Sequence, residues 1–151
     1  MTEREYLFSG RRNAPREVQH ILGEIPDFYE VKPRQDGSWN SHQILAHLRD
    51  VNREVYLPRL EQIAASSNPL FQEFDGERWM AEHYDPAEPM AALVREFKQQ
   101  SKQTADWLES FPDETWERHG THVSLGTHSF QWWADRMVAH IGEHLVQLRG
   151  E

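Results

Sequence analysis

Residues 129–149 read SFQWWADRMVAHIGEHLVQLR, with apolar residues at helical spacing along the whole stretch. The pattern predicts an amphipathic helix over this range. His140 and His144 are four residues apart, which brings their Cβ atoms within about 5–6 Å of each other on one helix face. At 100° per residue, Trp133 and Met137 lie within about 60° of His140, so both imidazoles project from the apolar face. A buried imidazole is costly unless a partner satisfies it.

Three further stretches have apolar residues at helical spacing and predict helices over about 13–25, 41–65 and 85–108. Asn13 and Ser41 suit the N-cap positions of the first two, and Pro26 ends the first. Pro58 predicts a kink or a restart within the second helix. The connections 66–84 and 112–128 are long, with a short helical turn expected at 113–118 and no alternating strand pattern. The sequence therefore predicts an all-α four-helix bundle.

Composition limits the classes of function. The chain has 151 residues and a net charge of −9, from 16 Lys+Arg against 25 Asp+Glu. Such a surface repels phosphate backbones and anionic lipids, so we expect no nucleic-acid or membrane partner. Cys is absent, which excludes disulfides, thiolate nucleophiles and cysteine zinc sites. The longest apolar run, residues 90–94, is far shorter than a spanning helix, and the N-terminus lacks the order of a signal peptide. We expect one cytoplasmic domain, residues 1–151.

A third histidine strengthens the interpretation of the first two. Nine His in 151 residues would give about 0.5 pairs at this spacing by chance, so the pair alone is weak support for metal binding. His47, however, lies between Ile44 and Leu48 on the inward face of the second predicted helix. One such residue would ordinarily be a hydrogen-bonded core histidine. Three inward His on two helices favour a metal site.

The metal hypothesis makes a demand on topology. His47 lies about 9 Å from the start of its helix, and His140 and His144 lie about 8–14 Å from the end of theirs. Antiparallel packing of the second and fourth helices puts all three imidazoles at one height, whereas parallel packing offsets them by about 10 Å. A simple up-down-up-down bundle makes these helices parallel. The hypothesis therefore requires a long crossover, for which residues 66–84 are long enough.

Several polar residues lie near these histidines in the helical pattern. Asp50 and Glu54 follow His47 near its face, and either could orient an imidazole through its second nitrogen. Glu143 could act as a base or as a similar partner, and Gln147 lies one turn beyond His144. The ordinary alternatives are solvated charges and surface ion pairs with neighbouring arginines.

Two other histidine patterns in the sequence also resemble metal-binding patterns. HIGEH at 140–144 matches the H-x-x-E-H pattern of inverted zinc proteases, but only seven residues follow His144, so the downstream Glu ligand of those enzymes is missing. His119, His122 and His128 lie in one connection and could approach the open side of a metal. Solvated loop residues are the alternative.

Several short motifs carry a resemblance to a known family. They are WNSHQILAHL at 39–48, NPLF at 68–71, FDGE at 74–77, ERHGTH at 117–122, Gly126, and HIGEHLVQL at 140–148. In this order, and over about residues 13–149, the chain resembles the DinB-like (YfiT-like) family of metal-binding four-helix proteins. One departure is the short first helix, which follows a Gly10-Arg-Arg interruption.

The resemblance implies a bundle with a crossover, a divalent metal held by three His, and a homodimer. The family's ligand positions fall on His47, His140 and His144. Some relatives transfer low-molecular-weight thiols such as bacillithiol or mycothiol to electrophiles, or use such a thiol as an isomerase cofactor. The family name does not imply DNA binding.

These observations lead to two hypotheses. Three imidazoles leave a coordination position open, as in catalytic sites, so the ion would lower the pKa of water or of a small thiol cosubstrate for hydrolysis of, or transfer to, a small molecule. Zn²⁺ is the first choice, and Ni²⁺ and Fe²⁺ are also compatible, because three nitrogen ligands discriminate poorly. The alternative is a non-catalytic metal-binding helical dimer with a structural or stress-sensing role. A fourth ligand such as His122 would favour the alternative.

Overall fold

The computed structural model of the protein describes residues 2–23 and 31–150. Its helices are α1 (Glu3–Leu22), α2 (Ser41–Val51), α3 (Leu57–Ala65), α4 (Gly76–His83), α5 (Met90–Glu109), α6 (Asp113–Trp116) and α7 (Phe130–Arg149). A π-helical segment, Asn52–Tyr56, joins α2 to α3. Three short strands are β1 (Leu70–Phe71), β2 (His119–His122) and β3 (Gly126–Ser129). No helix within the described ranges is long and apolar enough to cross a membrane.

Four rods form the bundle: α1, the continuous α2–α3, α5 and α7. Helix α1 packs on α5 and α7, and α2 also packs on both. Arg4 pairs with Asp113 just after α5 ends, and Arg12 pairs with Asp106 further back along it, so α1 and α5 are antiparallel. Near the other end of α1, Arg149 of α7 donates to Glu17 at 3.0 Å.

The predicted crossover and the antiparallel second and fourth helices are confirmed. Along α2–α3, Trp39 stacks near His144, Tyr56 contacts the ring of His140, and Arg59 lies over Trp133. Residues that come later along the α2–α3 rod therefore contact residues that come earlier in α7, so the two are antiparallel. Arg49 of α2 pairs with Glu96 of α5, and further along both rods Glu61 of α3 borders the same cleft as Trp107 of α5, so those two rods run the same way. Residues 66–89 carry the chain back between them.

The four-helix bundle is confirmed, but the sequence did not predict the small three-stranded sheet beside it. β1 pairs in parallel with β2, and β2 pairs antiparallel with β3, with His122 opposite Gly126. These strands have only two to four residues and consist largely of Gly, His, Thr and Ser, so no apolar alternation marks them. A Cβ on Gly120 would lie 2.6 Å from Phe71 Cε2, so this strand packs directly against β1. The sheet fixes the 112–128 connection beside the bundle.

The predicted start of the first helix was wrong. Helix α1 begins at Glu3, ten residues before Asn13, and Thr2 forms a capping box with Glu5. Gly10-Arg-Arg does not interrupt it, because Arg11 turns into the core and Arg12 pairs with the surface of α5. The described helix ends at Leu22 with Gly23 as C-cap. The predicted end at Ile25 and Pro26 lies outside the described residues.

The other helix boundaries differ less. The fourth predicted helix is confirmed as α7, with Ser129 as its N-cap. The third begins at Met90, five residues later than predicted. The second is capped by Asn40, and its predicted interruption occurs immediately before Pro58, where the helix widens into the π-helical segment.

The π-helical segment determines which side chains face α7. In an uninterrupted α-helix, the nine residues from His47 to Tyr56 would turn the second side chain about 180° away from the first. A π turn closes through i→i+5 hydrogen bonds and so winds more slowly. Here both rings contact His140, with centroid distances of 5.1 Å for His47 and 5.5 Å for Tyr56.

A buried polar side chain lies between the two halves of the core. One apolar cluster contains Leu7 and Met137, and the other contains Ala14 and Ile141. Arg11 lies between them in the sequence of α1, and its Nη1 donates to Ser101 Oγ at 3.1 Å. Its Nε and Nη2 have no partner among the described residues, and burial lowers the pKa of Arg11 to about 10.

Asp135 provides a test of how α1 docks on α7. Its carboxyl is partly buried and shares a hydrogen bond with Glu3, and burial followed by that contact raises its pKa to about 6. A raised pKa means that the fold favours the protonated acid, so this stability is complete below about pH 4 and is lost as the pH rises through about 6. Asp135→Asn keeps the acceptor for Gln131. We expect it to raise the midpoint of thermal unfolding at pH 7.5 and to have no effect at pH 3.5.

The matched control is Asp113→Asn, which removes an exposed carboxylate paired with Arg4 and should give no stabilisation at either pH. A loss of stability for Asp135→Asn at pH 7.5 would contradict the inference that burial next to Glu3 destabilises the ionised form of Asp135.

Candidate metal centre

Three histidines from two antiparallel rods converge between α2 and α7. The Nε2 atom of His47 lies 3.2 Å from Nε2 of His140, and Nε2 of His144 lies 3.1 Å from the same atom. One ring nitrogen from each residue falls within 4.8 Å of the other two. His47 is buried and the other two are half-buried. We call His47, His140 and His144 the triad.

Local sequence fixes the ring positions on both helices. Asn40 caps α2 by accepting from the backbone N–H of Gln43 at 2.9 Å, and the Gln43 side chain accepts from Asn40 N–H in return. This capping box sets the start of the helix six residues before His47. On α7, the i and i+4 spacing brings the rings of His140 and His144 to a centroid distance of 4.5 Å.

The contacts at His140 do not form a satisfied hydrogen-bond set. A neutral imidazole nitrogen either donates one hydrogen or accepts with one lone pair. Nε2 of His140 therefore cannot form good hydrogen bonds with both other Nε2 atoms. Three nitrogens bound to one tetrahedral zinc at 2.0–2.1 Å would be about 3.3–3.4 Å apart, close to the observed separations. The donor set fits a divalent transition-metal ion.

Gln147 orients one ring of the triad. The Nδ1–H of His144 donates to Gln147 Oε1 at 2.7 Å, which leaves the lone pair of Nε2 directed toward the other histidines. Metal-binding histidines commonly donate their other N–H in this way. Gln147, which the helical spacing placed one turn beyond His144, therefore contacts the site directly.

Burial keeps the triad neutral. Desolvation, followed by repulsion from His144, lowers the pKa of His47 to about 4, although Asp50 opposes the shift. Desolvation and then the two other histidines lower the pKa of His140 to about 3. Desolvation also lowers the pKa of His144. At pH 7 all three rings thus have the neutral form that a metal ion requires.

Aromatic and backbone groups pack around His47. The indole of Trp39 lies over it at a centroid distance of 4.7 Å. Gly76, the first residue of α4, is so close that a Cβ there would lie 3.3 Å from His47 Cε1. Trp79, one turn further along α4, donates from Nε1 to Asp50 Oδ2 at 3.1 Å, which fastens α4 to α2.

The three predicted carboxylates lie outside the immediate triad. Asp50 is buried, but it accepts from Arg49 Nε at 2.9 Å and from Trp79. Glu54 is exposed and pairs with Arg53. Glu143 projects outward from α7 and pairs with Arg136 at 3.2 Å. These contacts match the ordinary alternatives considered for them, and their part in catalysis stays a prediction.

The loop histidines have separate roles. His122 is buried, and its Nδ1 accepts from the backbone N–H groups of Ser124 and Leu125 at 3.1 and 3.2 Å. His128 stacks on Trp132 at a centroid distance of 3.6 Å. His119 is exposed. Among the described residues none of the three joins the metal-ligand group.

Two clefts flank the triad. The first cleft, about 230 Å³, is bordered by His47 and His140 together with Tyr56, Arg59, Arg136 and His122. The second cleft, about 470 Å³, is bordered by His47 and His144 together with Trp39, Arg34 and Glu77. The triad is therefore accessible from two sides.

Sequence reasoning missed Tyr56, Arg59, Arg136 and Gly76 as site residues. Arg136 lies one turn before His140 and could have been found from that spacing. Tyr56 depends on the π-helical segment, and Gly76 depends on the crossover, so the sequence carries no local signal for either.

Gly76 provides a test of triad positioning. Gly76→Ala should press the new methyl group on the His47 ring and weaken zinc affinity by about tenfold, a typical cost of disturbing a ligand's surroundings. Zinc affinity can be measured by competition with a chromogenic chelator. The fold should not suffer, because Ala is the better helix former.

Gly142→Ala is the matched control, because a Cβ at that position of α7 meets nothing within 4 Å. Equal zinc affinities for the two variants would show that Gly76 does not position His47.

The comparisons with known proteins agree with this fold. The profile of the DinB superfamily matches residues 12–148. A solved structure of similar fold is YfiT from Bacillus subtilis, which is described as a probable metal-dependent hydrolase with an unusual four-helix bundle topology. The match has a TM-score of 0.77 at 16% sequence identity and covers 96% of this chain and 83% of that one. No curated protein matches the chain. The extent of the profile match shows that this chain belongs to the DinB superfamily.

Proposed function

We propose that this protein is a metal-dependent enzyme that activates water for hydrolysis of a small molecule. The observation that carries the proposal is the convergence of three neutral imidazole nitrogens next to an open cleft. Structural metal sites are usually closed by four protein ligands, whereas catalytic sites keep a position open. Within the described residues, no fourth His, Asp or Glu joins the group.

His47, His140 and His144 would hold the ion through their Nε2 atoms. A divalent metal bound there would lower the pKa of water, or of a small thiol, toward neutrality. Zn²⁺ is our first choice, and Ni²⁺ and Fe²⁺ also suit three nitrogen donors. Gln147 would keep the correct nitrogen of His144 free for binding, because it accepts from Nδ1–H.

Tyr56 is suited to stabilise charge that develops on the substrate. Its ring packs against His140 and borders the first cleft. Burial raises the pKa of its hydroxyl, so the group stays protonated at neutral pH. A neutral phenol can donate a hydrogen bond to an oxygen that becomes negative during the reaction. Glu143, Asp50 and Glu54 stay as predicted bases or orienting partners.

Transfer of a small thiol is a second reaction that the same metal site could support. The chain contains no Cys, so a sulfur nucleophile would have to come from a diffusible cosubstrate. Hydrolysis is favoured because the solved structure of similar fold is itself described as a probable metal-dependent hydrolase.

The other candidate is a non-catalytic metal-binding dimer. A fourth histidine that filled the open coordination position of the metal would support it, and the sequence predicted His122 as a candidate for this ligand. Its Nδ1 is instead engaged by the 123–125 turn, and its Nε2 faces Glu73 at 3.8 Å. The open site therefore supports the enzyme. A homodimer is compatible with either function.

The test is metal content and activity measured together. Wild-type protein reconstituted with Zn²⁺, Ni²⁺ or Fe²⁺ should retain about one ion per chain after desalting, and His144→Ala should retain much less. Hydrolysis of a panel of small esters and amides should follow the metal content. A parallel assay would supply bacillithiol, mycothiol or glutathione with an electrophile.

His20→Ala is the matched control, because His20 is exposed on α1, away from the triad. Retention of equal metal by wild type and His144→Ala would overturn the metal site. Stoichiometric metal without activity in either assay would favour the non-catalytic dimer.

A further inference from the structure

The first cleft contains an arginine whose charge is not balanced by the protein. Arg59 of α3 is half-buried, and its guanidinium lies over the rings of Phe71 and Trp133 at 5.6 and 5.5 Å. Its Nη2 donates to Gln72 O at 2.9 Å. Arg59 forms no ion pair with a carboxylate anywhere in residues 2–23 and 31–150. Other arginines of the described chain, such as Arg49, pair directly with carboxylates.

Burial of this guanidinium has an electrostatic cost. Desolvation lowers the pKa of Arg59, and at neutral pH, where Tyr56 is uncharged, the nearby Glu73 offsets only part of this effect. The ring contacts hold the side chain in place without neutralising it. Of the five N–H donors of a guanidinium, most thus lack a protein acceptor here. A fixed and partly desolvated cation of this kind is preorganised to bind an anion.

A second arginine borders the same cleft. Arg136 lies on α7, one turn before His140, and both arginines interact electrostatically with Tyr56, which borders the same cleft. The partner of Arg136 is Glu143, which is exposed on the outer surface. The acidic residue of the cleft, Glu73, is hydrogen-bonded to Ser124 Oγ and faces His122. The lining of this cleft therefore has an excess of positive charge, with two arginines and one glutamate, although the whole chain has a net charge of −9.

We propose that Arg59, assisted by Arg136, binds an anionic carboxylate or phosphate group of the substrate in the first cleft. The designation of the ligand as substrate rests on the proposed function; the anion site itself does not. Both arginines border the same cleft as His47 and His140, so an anion held by them would keep the rest of a small molecule beside the triad. The acidic surface elsewhere would disfavour nonspecific anion binding.

The experiment follows the Arg59 Nε–H resonance by ¹H–¹⁵N NMR in zinc-loaded protein, assigned by its loss in Arg59→Met. Propionate and inorganic phosphate are titrated, with propionamide as the neutral match of propionate. We expect saturable shifts with at least one anion and none with propionamide. The ratio of the two anion affinities distinguishes a carboxylate from a phosphate substrate.

Affinity in the variants is read from the Tyr56 and Gln72 backbone amides. Arg59→Met preserves the packing on Phe71 and Trp133 and should weaken anion binding by at least about tenfold, the loss expected for one charge-assisted hydrogen bond. Arg59→Lys should retain part of the affinity. The control is Arg95→Met, which removes the same charge from an exposed site on α5 and should leave the affinity unchanged.

Zinc content and a metal-free titration separate this proposal from the proposed function. Arg59→Met should retain full zinc stoichiometry, and the anion should still bind metal-free wild type. If the anion binds in an Arg59-dependent way but the wild-type protein binds no metal, the anion site is supported and the proposed metal-dependent enzyme is overturned. Equal affinities in wild type and Arg59→Met, or equal shifts with propionamide, would overturn the anion site.

Discussion

Convergence of three imidazole nitrogens from two rods is the constraint on which the rest of the structure depends. The rings are desolvated and mutually repulsive when charged, so each must be neutral in the fold. Even neutral, they cannot satisfy one another, because Nε2 of His140 meets two nitrogens at 3.1 and 3.2 Å. A cation among them resolves both problems. Three unsatisfied buried imidazoles would destabilise an apolar core, whereas the same three nitrogens form a suitable binding site for a metal ion.

The topology of the chain serves this convergence. The α2–α3 rod must run against α7, so the chain crosses back before α5 begins. That crossover is used structurally, since it carries β1, which extends the small sheet, and α4, whose first residue packs on His47. The sheet in turn holds the 119–129 hairpin beside the triad, so that His122 and Ser124 border the first cleft together with the two arginines.

Much of this architecture was predictable from the sequence. Helical periodicity placed His47, His140 and His144 on inward faces, and the rise per residue then required antiparallel rods and a crossover. The start of α1 was not predictable, because Gly10-Arg-Arg resembles an interruption unless one knows that Arg11 is buried against Ser101. The strands escaped prediction because their residues show no apolar alternation and because β1 pairs with a strand that is distant in sequence. Pro58 predicted an interruption of the second helix, but the π-helical form of that interruption and the contacts of Tyr56 and Arg59 depend on tertiary packing.

X-ray absorption spectroscopy at the zinc edge tests the central claim most directly, because it reports the donor atoms around the ion. For the zinc-loaded protein, the account predicts three imidazole nitrogens at about 2.0–2.1 Å, no sulfur, and one further light-atom ligand from solvent. In His47→Ala, the number of imidazole ligands should fall to two. A spectrum with fewer than three imidazoles in the wild type, or one unchanged by His47→Ala, would contradict the account.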